Sequence, residues 1–424
     1  MNERETFLWH DYETFGSASR SWDRKGTVAP YRARPAQFGA IRTTMDLEEI
    51  GEPIEVYCRP SFEELPAIDA CLTTGMVPSD TLENGLPERR FFEEVLAAFT
   101  PHTCGVGWNN FGYDDEVTRF GLWRNCMVPV YDREWRDGRS RWDLLPVFRL
   151  VLATHPGAFT WPTRDDGVTS LALEGLAKAN GITDHDAHDA LGDVRATIAL
   201  AKRVKEELPD LWTYALSMRD TKRATAVVEH ADAPLFYSSY RLGGAHNYGT
   251  IVQPVSTHQK NCLAVDLRFD PTELLELGAK DIHQRLFNRG EGEERLPIQK
   301  IKMNQSPMIA PVGVLKSTEQ WTHLELDRVE IEARAETVRQ HRRSLGDTLA
   351  EVYGEMPEAN DKDEEERLYG GGFPSDGDVL VLERARDANT PEVWRRAVHQ
   401  VQDARLSELA FRCFAREHGD ALDE

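Results

Sequence analysis

The sequence has no clustered cysteines. Its six, at positions 58, 71, 104, 126, 262 and 413, form neither a CxxC pair nor any Cys/His ligand spacing. Neither a zinc site nor a disulfide framework is expected, and reduced thiols in a cytoplasmic setting are. Long apolar runs are missing too: none approaches the roughly 18 residues that mark a membrane helix. The opening MNERETFLWHDYET lacks a basic stretch followed by an apolar one, so no export and no membrane association are expected. Positive charge is in deficit, with 50 Lys and Arg against 72 Asp and Glu and a net charge of −22. A surface of that sign repels polyanions on average, so a nucleic-acid partner would have to meet a local basic groove.

What is present is enough chain, 424 residues, for two or three domains. TFLWHDYETF, AQFGAIRTTM and IEVYCRP read as strands from their β-branched and aromatic content and their turn-like borders. Helical periodicity follows in ERRFFEEVLAAFT, YDDEVTRFGLWRN and TSLALEGLAKANG, the last stopping at Asn180–Gly181. HDALGDVRATIALAKRVKEEL is the longest helix, with Ala190, Val194, Ile198 and Ala201 or Val204 on one face. The texture changes near residue 205. APLFYSSYRLGGAHNYGTIVQPVS, KNCLAVDLRFD and LPIQKIKMNQSPMIAP read as short strands with Gly and Pro punctuation, and beyond about 320 the chain turns helical and charged. The expected division is 1–205, 206–345 and 346–424.

The chemistry-bearing residues are acids. In FLWHDYETFG, Asp11 and Glu13 sit one residue apart on an otherwise apolar strand, so both side chains leave the same face. Two like charges about 4 Å apart repel by roughly 4 kcal/mol at an effective dielectric of about 20. An exposed strand end is the ordinary setting for such a pair. Here the apolar lead-in and the position at the strand's end point instead to a bound divalent cation, which needs more oxygen ligands than two. GWNNFGYDDEVTRFG offers Asp114, Asp115 and Glu116 at a helix start, two of which are expected simply to complement the helix dipole. AHDALGDVRATIALA offers Asp193 one turn into a helix, beside its apolar positions. His188 lies five residues earlier and cannot share a helical face with it, so it is placed on the preceding loop with Asp189 as the N-cap. GVGWNN lacks the third glycine and the acidic partner of a dinucleotide fold, which is therefore discounted.

DxE on a first strand, N-x3-YD at a helix start and H-x4-D on a later helix resemble, in order, the three motifs of the DEDDh 3′→5′ exonucleases. The phrases RPAQFGAIRT, GEPIEVYC, NNFGYDDEVTR, SRWDLL, AKANGI, AHDALGDVRATIALAK and RLYGGGFPSDGD are similar to the bacterial exonuclease I family within that group. The resemblance implies an α/β fold: a ribonuclease H-like exonuclease domain on a mixed sheet, then a small SH3-like β-barrel domain and a helical C-terminal domain. Two departures stand out. GSASRSWDRKGTVAPYRA forms an extra basic stretch after the first strand, and the chain stops soon after FRCFAREHG, so a smaller helical domain is expected.

Carried over by position, the resemblance implies Asp11, Glu13, Asp114 and Asp193 as metal carboxylates, Asp114 being preferred to Asp115 because it follows Tyr113. His188 is implied as general base. The metal implied is Mg2+, two ions, with Mn2+ able to substitute. Thr14, Gln37, Asn109, Asn110, Arg141 and Trp142 are expected to contact nucleic acid. The implied activity is hydrolysis of single-stranded DNA from its 3′ end to nucleoside 5′-monophosphates, in DNA repair or recombination. A single-stranded DNA-binding protein is an expected partner, and a monomer is expected. Arginine clusters at 20–34, at 133–141 and at 219–223 are candidates for a positive track. Trp108, Phe236, Tyr237, Tyr240 and Tyr248 are candidates for base stacking. The competing readings are a DEDDh exoribonuclease or proofreading-type exonuclease, and a non-catalytic strand-binding clamp.

Overall fold

The structure is a computed structural model that describes residues 5–16, 29–183, 189–229, 231–242, 247–288, 295–354 and 363–422. The chain falls into two compact units, one made of residues 1–141, 184–198 and 358–424 and the other of 142–183 and 199–357.

The first unit is organised by a five-stranded sheet of β1 (Thr6–Thr14), β2 (Pro35–Thr44), β3 (Ile54–Tyr57), β4 (Thr103–Gly107) and β5 (Ser140–Asp143), in the order β3-β2-β1-β4-β5. β1 runs antiparallel to β2 and parallel to β4, so the sheet is mixed. The central strand is covered on both faces, and Phe7, Leu8 and Trp9 have no exposed surface. That burial is why β1 opens as an unbroken apolar run rather than an alternating one. β4 is the strand whose sequence, TCGVG, gave no strand signal. Its glycines are there for closeness: a Cβ on Gly107 would lie 2.8 Å from the carbonyl oxygen of His10 on β1. The helix Asp114–Arg124 leaves the end of this layout almost wholly buried.

The expected separate helical domain at 346–424 is divided instead. Residues from 358 onward belong to the first unit. Their helices, Asp376–Ala388, Pro391–Gln400 and Ala404–Glu417, place Leu382, Trp394, Leu406 and Phe414 in one core with Phe38, Phe91 and Trp123. Ion pairs stitch the same surface. Arg89 meets Glu417 at 3.1 Å, and Arg416 meets both Glu63 and Glu365 at 2.6 Å. A shared apolar core is what makes one folding unit of segments remote in sequence.

The second unit carries an antiparallel sheet, β6 (Leu235–Ser238), β7 (Gly249–His258), β8 (Asn261–Asp266), β9 (Ile298–Lys302) and β10 (Met308–Pro311), in the order β10-β6-β7-β8-β9. LPIQKIKMNQSPMIAP, read as one strand, supplies β9 and β10 at opposite edges. The chain crosses between them through residues 303–307 with a turn, Gln305 N to Lys302 O, which requires the sheet to curl towards a barrel. Val252, Ala264, Ile301 and Ile309 fill its core with Met218 and Val228. Among the described residues no helix is long and apolar enough to cross a membrane.

Candidate active site

Four residues on one sheet face build the site. Asp11 stands opposite Gly39 on β2, and Glu13 opposite Gln37. Cross-strand partners point the same way, so all four positions lie on one face. The helix Ala190–Glu207 lands there by its N-terminus. It comes so close that a Cβ on Gly39 would lie 2.7 Å from the Leu191 nitrogen and 2.8 Å from the Ala190 carbonyl carbon. Only glycine allows that approach. The consequence is convergence: Asp11, Glu13 and Asp193 each offer a carboxylate oxygen, all within 4.8 Å of one another, and all three residues are half-buried. A divalent cation fits such a set, because hard carboxylate oxygens at bridging separation are its preferred donors.

Asp114 is placed differently. It opens the helix Asp114–Arg124, and its Oδ1 accepts from the Tyr12 backbone N–H at 3.0 Å. It is not one of the three converging oxygens, yet it is the strongest charged neighbour of Asp11. Burial pushes the Asp11 carboxyl well up, with Asp114, Glu13, Asp193 and Asp189 adding to it. Burial likewise pushes Glu13 up to about 8, reinforced by Asp193, Asp114 and Asp189. Crowded, buried acids hold protons they would lose in water. That is the condition a bound metal relieves, so the residues present fit the group.

Asp115, the neighbour weighed against Asp114, is a different kind of acid. It is fully buried, with Arg133 on one oxygen and Arg141 on the other, both at 2.7 Å. Burial alone would raise it, but Arg133, Arg141 and Arg119 hold it well below the usual carboxylate range. Glu116 pairs with Arg119 at 2.6 Å. The acids expected merely to complement the helix dipole are thus neutralised by arginines.

The residues expected on nucleic acid divide. Thr14 reaches the Tyr113 hydroxyl at 2.8 Å, and Asn109 is exposed with a positive φ of 64°. Gln37, Asn110 and Trp142 have no exposed surface and so present nothing to a strand, a correction their polar or aromatic character could not foretell. Arg141 is occupied by Asp115 and Glu134 and stacks on Phe111. Arg32 and Arg34 pair with Glu366 and Glu365. The described arginines of the 20–34 and 133–141 clusters are therefore paired inside the first unit. Phe236 and Tyr237 are core. His188, and Arg20, Arg24 and Lys25 of the extra stretch, lie outside the described residues. What the sequence reading missed is the docking surface on β2, Gln37 and Gly39. Its one available signal was a glycine inside a strand, which marks a close backbone approach.

A family model described as "Exonuclease" matches residues 8–201, and one described as "Exonuclease I SH3-like domain" matches 219–355. Exodeoxyribonuclease I of Haemophilus influenzae is 35% identical over 423 residues, covering 97% of this chain and 86% of the relative. Solved structures of exonuclease I, two of them from Escherichia coli, match at TM-scores of 0.87 to 0.88 and 32% to 33% identity, covering 99% to 100% of this chain and 88% of theirs. They include complexes with a dA16 oligonucleotide, with single-stranded DNA and zinc, and with SSB and an inhibitor. With its carboxylate cluster on the strand and helix where those motifs predict it, this chain belongs to the exodeoxyribonuclease I family.

Proposed function

We propose that the chain is a metal-dependent exonuclease that removes nucleoside 5′-monophosphates from the 3′ end of single-stranded DNA. The observation that carries this reading is the meeting of Asp11 and Glu13 with Asp193, some 180 residues away in sequence, within 4.8 Å. Asp11, Glu13 and Asp193, with Asp114 behind Asp11, are the residues that would hold Mg2+. Divalent ions held there would acidify a water and stabilise the departing 3′ oxygen. Asp114, tied to the β1 backbone, keeps the strand end and the helix start in fixed relation. His188 is assigned as the base that takes the water's proton, a role suited to an imidazole near neutrality.

An unpaired strand is favoured by a face of the second unit. Tyr240, 61% exposed, has the Arg149 and Arg241 guanidinium groups 5.7 and 5.9 Å from its ring. The Lys300 ammonium lies 4.8 Å from the Tyr353 ring. Aromatics with adjacent cations suit bases and phosphates of single strands. By the same reading the chain works as a cytoplasmic monomer in DNA repair, with SSB as a partner, as in the solved SSB/exonuclease I structure.

Digestion of 5′-labelled single-stranded and duplex DNA, with Mg2+ and with chelator, tests the proposal. The expected result is stepwise shortening from the 3′ end of the single strand alone, and none under chelation. Shortening from the 5′ end, or cleavage that survives chelator, would overturn it.

A further inference from the structure

Gln37 is fully buried on β2, directly opposite Glu13, and its carboxamide is saturated. Nε2 donates to Asp189 Oδ1 at 2.8 Å and to Glu55 Oε1 at 2.8 Å, with the Tyr57 hydroxyl at 3.3 Å. Oε1 accepts from the Ala190 backbone N–H at 3.2 Å. Only this orientation of the amide satisfies its surroundings, since two carboxylates lie on one side and an N–H on the other. Asp189 in turn caps the helix: its Oδ2 accepts from Gly192 N at 3.0 Å, and its carbonyl accepts from Asp193 N at 2.9 Å. One neutral side chain on the sheet therefore grips both the cap and the first N–H of the helix that carries Asp193.

Such a grip has something to oppose. Asp193 and Asp189 both bear repulsively on Asp11 and Glu13, so the strand and the helix terminus push each other apart. Gly39, two residues along the same strand face, permits contact but supplies no attraction. We propose that Gln37 is a positioning residue of the nuclease centre: an uncharged tether that holds the Asp189 cap, and through it Asp193, against the Asp11–Glu13 strand so that the three carboxylates can share a cation. Glu55 and Tyr57 back it from β3, with the Tyr57 hydroxyl donating to Glu55 Oε1 at 2.7 Å, so that the amide has one fixed direction. The inference rests on the proposed metal-dependent reading of the site. Groups that orient metal ligands from behind typically change affinity by about 10–100-fold when removed.

The test uses the full chain and Mn2+ as probe, titrated by calorimetry without DNA. Gln37→Leu should bind Mn2+ about 10–100-fold more weakly than the parent, and Glu55→Ala, at an exposed position, a few-fold more weakly in the same direction. In turnover assays Gln37→Leu should lower kcat at low Mn2+ with KM for the oligonucleotide unchanged, and high Mn2+ should restore it. Asp193→Ala should not be restored. A general loss of packing would lower urea stability without giving metal-dependent rescue. Parental Mn2+ affinity in folded Gln37→Leu overturns the tether. If that variant does not fold, parental affinity in Glu55→Ala does so. Because Mn2+ binding is read without DNA, a chain whose metal affinity follows Gln37 yet leaves single strands intact would sink the exonuclease reading and spare the tether.

Discussion

Two groups of acids in the first unit begin from the same chemistry and end in opposite states. Asp115 is ringed by Arg133 and Arg141 and is held far below the ordinary carboxylate range. Asp11 and Glu13 face Asp193, Asp114 and Asp189 and are pushed upward. Asp114 and Asp115 are neighbours in sequence, yet one turns to β1 and the other to the arginines. Arginines neutralise Asp115, whereas the charged neighbours that bear most on Asp11 and Glu13 are other acids. A buried ion pair complete in itself has nothing left to bind, whereas a cluster of like charges has donor oxygens to offer a cation.

Breaking the chemical side should have the largest effect. Asp11→Ala or Asp193→Ala should lower cleavage in Mg2+ by at least on the order of 10³-fold, through loss of charge stabilisation at the reacting phosphate. Oligonucleotide binding in chelator, read by fluorescence anisotropy, should stay near that of the parent. Normal turnover in Asp11→Ala would refute the site. Asp11→Asn should also raise the melting temperature of the metal-free protein, because it removes an acid crowded by Asp114, Glu13, Asp193 and Asp189.

The structural side breaks in the other direction. Asp115→Ala leaves Arg133, 4% exposed, without its partner. Removing one member of a buried pair costs about 3–5 kcal/mol, to be read from urea unfolding. Turnover per folded molecule should remain within a few-fold. A neutral effect on stability would mean that water or Glu134 takes over the guanidinium.

The same contrast sets two pH slopes of opposite sign in metal-free protein. Glu13 is raised from 4.5 to about 8. Between those values the native state keeps a proton that the unfolded chain has released, so stability should fall as pH climbs through this window. Asp115 is lowered; its contribution is full above about pH 4, near the ordinary carboxylate value, and is lost only as pH falls below it. Melting curves in chelator from about pH 2 to 8.5 should decline towards alkaline pH through the Glu13 window, a decline that saturating Mg2+ should flatten, and should fall again below about pH 4. Asp115→Asn should remove part of the acid limb and leave the alkaline decline intact.

How much of this was legible in the sequence depended on range. β1, β2 and the helix at 190–207 announced themselves, because burial on one or both faces leaves a local pattern. The acids that converge, Asp11, Glu13 and Asp193, stood out by their motif spacing. β4 was hidden, because TCGVG packs by lacking side chains rather than by having apolar ones. The C-terminal helices looked like a domain of their own, since nothing local records that Trp394 and Phe414 share a core with Phe91. The arginines misled most. A run such as Arg133, Arg136, Arg139 and Arg141 reads as a basic surface, but partners fixed by the fold decide its charge. Arg133 and Arg141 are consumed by Asp115, Arg136 pairs with Asp132, and Arg139 with Asp137.

That lesson sharpens into the smallest of the expected effects. If pairing decides which cations meet phosphate, the exposed Lys302 of the second unit and the paired Arg32 of the first should behave differently, although only Arg32 stood in a basic cluster of the sequence. Lys302 bears electrostatically on Tyr240 together with Arg149 and Arg241, so the positive groups there reinforce one another around an exposed ring. Arg32 is bound to Glu366, and a phosphate would have to displace that carboxylate. Lys302→Ala should weaken binding to single strands modestly and reduce the slope of log affinity against log salt by about 0.7, the value for one phosphate contact on a single strand. Arg32→Ala should leave that slope unchanged, because it removes a cation already neutralised. Equal slopes for the two variants would mean that ion pairing within the fold does not select the residues that meet DNA.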